Sequence, residues 1–216
     1  WLGYCGTTGI QEMDYLLGDP LVTPPDEENH FTERIWRLPE TYVCFSPPDA
    51  DIEINSLPAL QNGFVTLGCF NNLLKLNDRL LSCWANILLA LPNARLFLKA
   101  RQLGDRQVAG EVVRRFADYG VTAERLTLEE STSNYKEYLA AYHRVDISMD
   151  TFPYPGLTTS AESLWMGVPV LTKLGDHFLS HNGECIARNT GQQAWIAADE
   201  ADYVMKAVSF ASNLPW

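Results

Sequence analysis

Short β-branched or aromatic runs alternate with longer amphipathic segments between residues 64 and 172, and this alternation limits the folds open to the chain. The runs that predict strands cover 64–70, 95–99, 125–128, 145–149 and 168–172. The segments that predict helices cover 80–91, 107–119, 135–143 and 160–166. Because strict alternation of this kind is typical of α/β proteins, we predict a Rossmann-like parallel sheet with helices on both faces.

The loops after the predicted strands are the expected place for a ligand, because ligands of such sheets bind beyond the carboxyl ends of the strands. These loops are 70–75, 100–104, 129–135, 150–159 and 173–183. The order of the elements along the chain therefore nominates the binding residues before any single motif is considered.

The composition argues against several classes of partner. The net charge is −11, and an acidic chain is a poor general binder of nucleic acid because phosphates are neutralised by Lys and Arg. No apolar run approaches the roughly 20 residues of a membrane span. The five cysteines are odd in number and no two have CxxC spacing, so we interpret them as reduced thiols of a cytoplasmic protein.

Two threonines, Thr158 and Thr159, stand at the predicted start of a helix and allow two interpretations. The N–H groups of a helix N-terminus bind phosphate, hydroxyls can donate to its oxygens, and Gly156 would let the backbone approach the ligand closely. Alternatively, residues 159–162 form the S/T-x-x-E capping box, in which Thr159 caps the helix and Glu162 reaches back. The sequence leaves both interpretations open.

The helix after the third predicted strand carries Tyr135 and Tyr138 at the ligand edge of the sheet. An aromatic ring there can stack on a nucleobase, or it can pack against the neighbouring helix. From the residues alone the two roles are equally open.

His177 and His181 are four residues apart, a spacing that suits a metal on a helix. The segment lacks an HExxH motif, and Gly175 and Asp176 precede the histidines in the manner of a loop. We therefore predict no metal site, and we expect one of the two histidines to contact a ligand from the loop after the last strand.

Several separate motifs, in matching order, resemble the O-GlcNAc transferase/SPINDLY glycosyltransferases. They are WLGYCGTTGIQEMDYLLGD (1–19), CFNNLLKLND (69–78), WANIL (84–88), RVDISMDTFPYPGLTT (144–159) and ESLWMGVPVLT (162–172). The resemblance implies a two-lobed architecture of GT-B type. It also implies transfer of a sugar, with inversion, from a nucleotide donor to Ser or Thr hydroxyls of proteins. The nucleotide sugar is a substrate, and no cofactor is implied.

The resemblance also implies how the chain is divided. Residues 1–20 match the end of the N-terminal lobe, and residues 61–216 are the C-terminal nucleotide-sugar-binding lobe. Residues 21–60 are a linker between them, and the proline- and acid-rich composition of 22–51 independently predicts an extended linker outside the core. Helical repeats preceding this region are an implied partner. Because most of the N-terminal lobe is absent from these residues, we expect weak nucleotide binding and no turnover.

The functional residues of the family map onto the nominated loops. By resemblance, Lys75 is the catalytic cation that stabilises charge on the diphosphate as the C1–O bond breaks, although spacing alone also fits a solvated surface lysine. Glu162 takes the place of the acid that binds the ribose. The predicted nucleotide- and phosphate-binding set is Asn72, Ser133, Tyr138, Leu157, Thr158, Thr159 and Glu162. The predicted donor-sugar set is Leu2, Gly3 and Cys5.

Four positions depart from the family pattern. Leu157 replaces a His that donates to phosphate, Tyr138 replaces a base-stacking His, Cys5 replaces a Pro, and Asn72 replaces a longer Gln. The departures leave the donor open between UDP-GlcNAc, which we favour, and the GDP-fucose used by plant members closer to SPINDLY. They also leave a second hypothesis open, a non-catalytic nucleotide-binding or protein-interaction module derived from the same fold.

Overall fold

A parallel sheet lies at the centre of the protein, and its strand order decides where a ligand can bind. The computed structural model describes residues 5–214. Its strands are β1 (Tyr15–Gly18), β2 (Arg34–Arg37), β3 (Thr66–Cys69), β4 (Arg95–Lys99), β5 (Leu126–Glu129), β6 (Ile147–Met149), β7 (Val170–Lys173) and β8 (Ile196–Ala197). The large sheet has the order β5-β4-β3-β6-β7-β8 with parallel neighbours. This is the doubly wound order of a Rossmann-type sheet, whose direction of winding reverses between β3 and β6.

Helices connect the strands, as the alternating pattern predicts. They are α1 (Ala59–Asn62), α2 (Asp78–Ala90), α3 (Arg106–Asp118), α4 (Tyr135–Ala140), α5 (Thr158–Trp165), α6 (Phe178–Asn189) and α7 (Glu200–Ser212). Side-chain caps define several starts: Asn77 accepts from the N–H of Leu80 at α2, and Asp105 accepts from the N–H of Gln107 at α3. The predicted α/β class is confirmed. None of the helices within residues 5–214 is long and apolar enough to cross a membrane.

The core has two layers because strand side chains alternate between the faces of the sheet. On one face α2 and α7 pack on Leu67, Leu96 and Leu98, and the indole N–H of Trp84 donates to the Tyr203 hydroxyl at 3.2 Å. On the other face, residues of and after α4 cover Phe97 and Phe70. Helices on both faces leave the carboxyl ends of the strands as the open edge.

The segment after β7 corrects one expectation. Residues 173–183 were expected to be a loop after the last strand, but α6 begins at Phe178 and is followed by β8 and α7. The face that this helix buries includes polar and small residues, among them Ser180, Asn182 and Gly183. A Cβ added to Gly183 would lie 2.0 Å from the Thr172 hydroxyl, so glycine lets α6 approach β7 closely.

The N-terminal segment corrects a second expectation. Residues 22–51 do not lie wholly outside the core, since Val22 and Tyr42 are buried against Phe178 and Cys185 of α6. The same region supplies β2, which pairs in parallel with β1 as a separate two-stranded sheet. Proline and acidic residues dominate the composition of this segment, so its few buried apolar residues were not recognised from the sequence. The division into residues 1–20, 21–60 and 61–216 stays a prediction.

Burial predicts how two chemically identical substitutions differ. Leu80 is fully buried under the sheet, whereas Leu74 is 89% exposed in the loop after β3. We expect Leu80→Ala to lower the free energy of unfolding by about 2–5 kcal/mol through lost contacts and a residual cavity. The Leu74→Ala control should change it by less than about 0.5 kcal/mol. Urea denaturation measures both, and equal effects would contradict this assignment of the core.

Candidate functional site

The loops that follow β3 and β6 meet at the point where the winding of the sheet reverses. They line a cavity of about 660 Å³. The cavity brings together residues that are far apart in sequence but were predicted to act together, namely Cys5, Asn72, Lys75, Leu157, Thr158 and Thr159. This position, between adjacent strands that wind in opposite directions, is where Rossmann-type sheets bind nucleotides.

Lys75 is held in place on one wall of this cavity. Its ammonium donates to Asn71 Oδ1 at 2.9 Å and to the carbonyl of Pro155 at 2.8 Å, and it lies 4.0 Å from the centre of the Tyr154 ring. Burial lowers the pKa of Lys75, and the nearby Asp150 carboxylate opposes that shift. These contacts differ from those expected of a freely solvated lysine.

The start of α5 overturns the capping-box interpretation. The helix begins at Thr158, so the capping position falls on Leu157, whose side chain cannot accept a hydrogen bond. Thr159 lies inside the helix and donates instead to Asn71 Oδ1 at 3.1 Å. The Glu162 carboxylate does not reach back to the start of the helix, because it accepts a hydrogen bond from Tyr135. Within the described residues the first N–H groups of α5 therefore carry no side-chain cap at the edge of the cavity.

Glu162 is buried and pairs with Tyr135, which is exposed. Glu162 is 5% exposed and accepts a hydrogen bond from the Tyr135 hydroxyl at 2.9 Å. Burial raises the pKa of Glu162, and burial together with the carboxylate raises the pKa of Tyr135 to about 12. Glu162 is not among the residues that line the cavity of Lys75.

A second cavity of about 750 Å³ adjoins the first at the carboxyl ends of β3, β4 and β5. Tyr138 lines it and also packs edge-on against Phe70, with 5.8 Å between ring centres. The ring therefore packs against the core and also faces the cavity, and its stacking on a nucleobase stays a prediction. Asn72 lines both cavities, and Ser133 is exposed in the loop before α4 and lines neither.

The predicted donor-sugar residues fall partly within the described chain. Cys5 lines the first cavity and lies 3.6 Å from Asn182 Nδ2 on α6. Leu2 and Gly3 lie outside the described residues. The fold thus brings the N-terminal segment to the same cavity as the loops after β3 and β6.

The two histidines have different surroundings. His177 lines the first cavity, and its Nδ1 lies 2.7 Å from the Asp176 carboxylate. His181 is buried and lies 2.9 Å from Glu27, and hydrogen bonds to Glu184 and Glu27 raise its pKa. No group of three or more His, Cys, Asp or Glu side chains within residues 5–214 is arranged to hold a metal.

Asp150 is a central residue that sequence reasoning missed. Its buried carboxylate accepts from the N–H of Gly156 at 2.6 Å, the N–H of Thr151 at 2.9 Å, the Thr172 hydroxyl at 2.9 Å and the Asn71 amide at 3.3 Å. Burial raises the pKa of Asp150 to about 6, and these donors and Lys75 limit the rise, so the group is mainly ionised at pH 7. The sequence signal that could have identified Asp150 is its position directly after a predicted strand, where ligand-binding loops begin.

Comparisons with known proteins agree with the fold and with the resemblance. The model of glycosyl transferase family 41 matches residues 54–215. SPINDLY proteins of Petunia hybrida and Arabidopsis thaliana are 37% and 36% identical over 99% of this chain, and both are named as probable UDP-N-acetylglucosamine–peptide N-acetylglucosaminyltransferases. The structure of a mutant Thermobaculum terrenum O-GlcNAc transferase superposes with a TM-score of 0.91 at 39% identity over 99% of this chain.

The relatives that share this fold are named as glycosyltransferases. The chain belongs to glycosyl transferase family 41, and the resemblance to O-GlcNAc transferase and SPINDLY proteins is confirmed. It spans 23% of the length of the two SPINDLY proteins and 40% of the bacterial O-GlcNAc transferase chain.

The raised pKa of Asp150 predicts a pH-dependent stability term. The folded state keeps this proton at pH values where the unfolded state, with an ordinary pKa of 3.8, has lost it. The contribution of Asp150 is thus full below about pH 4 and is lost as the pH rises through about 6. We expect the advantage of the wild type over Asp150→Asn in unfolding free energy to fall by up to about 3 kcal/mol between pH 4 and pH 7.

Urea denaturation at a series of pH values measures this difference. Asp51→Asn, at an exposed carboxylate, is the matched control and should give a curve parallel to that of the wild type. If the Asp150→Asn curve is parallel as well, the carboxyl titrates at its ordinary pKa and this assignment is wrong.

Proposed function

We propose that the first cavity binds the diphosphate of a nucleotide sugar for transfer to a protein hydroxyl. The observation that carries the proposal is the position of Lys75 beside the uncapped start of α5. Two of the three N–H donors of its ammonium are used by Asn71 and Pro155, which leaves one for a phosphate oxygen. The N–H groups of a helix of eight residues, with the Thr158 hydroxyl among them, supply the opposite side.

The proposed reaction is an inverting sugar transfer. The oxygen of the acceptor hydroxyl forms a bond to C1 of the sugar from the face opposite to the diphosphate and loses its proton to a base supplied by the other lobe. The bond from C1 to the diphosphate oxygen breaks, and the nucleoside diphosphate leaves. Negative charge grows on the departing diphosphate, so a fixed ammonium and oriented N–H groups stabilise the transition state more than the ground state. Leu157 cannot donate a hydrogen bond, so this stabilisation falls on Lys75, the backbone and Thr158.

The second cavity is the proposed place for the nucleobase. Tyr138 offers an aromatic face there, and Asn72 connects this cavity to the one beside Lys75. We propose UDP-GlcNAc as the donor and Ser or Thr hydroxyls of proteins as acceptors. The names of the SPINDLY relatives and of the bacterial O-GlcNAc transferase support this choice. GDP-fucose is the competing donor.

The proposed lobes explain the small sheet of β1 and β2. The ring centres of Tyr15 and Trp36 lie 5.6 Å apart on this sheet. Both side chains are more than half exposed, although parallel strands are usually covered on both faces. This supports residues 1–20 as the end of an N-terminal lobe, with 21–60 linking to the lobe of 61–216. Helical repeats in the longer protein and a cytoplasmic location belong to the same proposal.

Calorimetric titration with UDP, GDP and their sugars tests the proposed site. We expect the chain to bind at least one of these with millimolar or tighter affinity. The double variant Lys75→Ala, Thr158→Ala should lose this binding, because it removes a charged and a neutral donor to the same diphosphate. Lys136→Ala is the matched control, at an exposed lysine that lines neither cavity. Binding that survives in the double variant would overturn the site.

Transfer measurements separate an enzyme from a derived binding module. In a protein containing both lobes, we expect Lys75→Ala to lower the transfer rate by about 10²–10³-fold, as for the loss of one transition-state donor. We expect no transfer by residues 1–216 alone. A robust rate from this chain alone would contradict the need for a second lobe, and absence of both binding and transfer in the two-lobed protein would favour the module.

A further inference from the structure

Asn71 is a buried amide that joins both sides of the proposed diphosphate site. It is 7% exposed and lies two residues after the end of β3, next to the exposed Asn72. Its Oδ1 accepts from the ammonium of Lys75 at 2.9 Å and from the hydroxyl of Thr159 at 3.1 Å. Its Nδ2 donates to Asp150 at 3.3 Å. Because two donors meet Oδ1 and an acceptor meets Nδ2, the orientation of the amide is fixed by its partners.

The loop after β6 closes against the same amide. Asp150 binds Asn71 and the N–H of Gly156 through one oxygen, Oδ1. A Cβ added to Gly156 would lie 3.3 Å from Asn71 Nδ2 and 2.5 Å from the Thr159 hydroxyl. The backbone at Gly156 therefore packs against Asn71 with no room for a side chain, and a shift of the amide would move Lys75, Thr159 and this loop together.

We propose that Asn71 is a positioning residue, which holds the Lys75 ammonium toward the diphosphate and fixes Thr159 in the first turn of α5, while separating Lys75 from the carboxylate of Asp150. The inference rests on the proposed function. An amide relays the hydrogen bond from the buried carboxylate without adding negative charge beside the ligand. A carboxylate at position 71 would still accept from Lys75 and Thr159, but it would neutralise the ammonium and repel a diphosphate.

The isosteric variant Asn71→Asp tests whether Asn71 positions Lys75 through its neutral amide or only fills space in the core. We expect Asn71→Asp and Asn71→Ala each to weaken UDP or GDP binding by about tenfold or more, the cost of disturbing a charged hydrogen bond. Calorimetry on the whole chain measures this. Asn93→Ala, at an exposed turn before β4, is the matched control and should bind as the wild type does.

A second readout needs no nucleotide. NMR of ¹⁵N-labelled lysine, with the Lys75 signal assigned from Lys75→Met, follows the titration of this ammonium. The proposal predicts a higher pKa of Lys75 in Asn71→Asp, because a carboxylate replaces a neutral acceptor, and faster proton exchange of the ammonium in Asn71→Ala. If Asn71→Asp fails to fold, the Asn71→Ala spectrum still decides, because Ala introduces no charge.

The two readouts separate the two proposals. If the wild type binds neither nucleotide but the Lys75 signal changes as expected, the proposed function fails, and only the contact by which Asn71 holds the Lys75 ammonium stands. If the wild type binds nucleotide and both variants bind equally well, the positioning role is overturned. A Lys75 signal that is identical in the wild type and both variants also overturns it.

Discussion

The carboxylate of Asp150 connects the elements that form the cleft. It follows β6, and it accepts hydrogen bonds from the Gly156 backbone, from Thr172 on β7 and from Asn71 after β3. The carbonyl of the same residue accepts from the hydroxyl of Tyr203 on α7 at 2.9 Å. A buried carboxylate is costly unless donors surround it, so this group fixes the relative positions of all the segments that supply those donors.

Two further bonds keep the loops after β3 and β6 together. Lys75 donates to the carbonyl of Pro155, and Asn77 donates to the carbonyl of Phe152 at 2.7 Å. Asn77 also caps α2, so the helix that packs under the sheet and the loop at its edge depend on one side chain. The packing of the core thereby reaches the cavity, where small displacements of a cation or an N–H group would weaken its interaction with a charged ligand.

An acidic chain can attract an anion only through local features. The chain carries a net charge of −11, yet the cavity presents Lys75 and the start of α5. Partial burial lowers the pKa of Lys75, but it also reduces the screening of its charge by water. The neutral amide of Asn71 completes this arrangement, because it lets a buried negative charge hold the ammonium without lying against it.

The alternation of strands and helices was readable from sequence, because it depends on local patterns along the chain. The roles of Lys75 and Thr158 came from the resemblance to a family, since local pattern alone also fitted a solvated lysine and a helix cap, and they stay predictions. The strand order, and with it the meeting of Asn71 and Asp150, was not readable, because residues 79 positions apart in sequence are paired only by the packed sheet. Likewise Thr159 to Glu162 matched a capping box, but tertiary partners at Asn71 and Tyr135 took both side chains. Helix α6 escaped prediction because it buries polar residues, whose partners only the tertiary structure supplies.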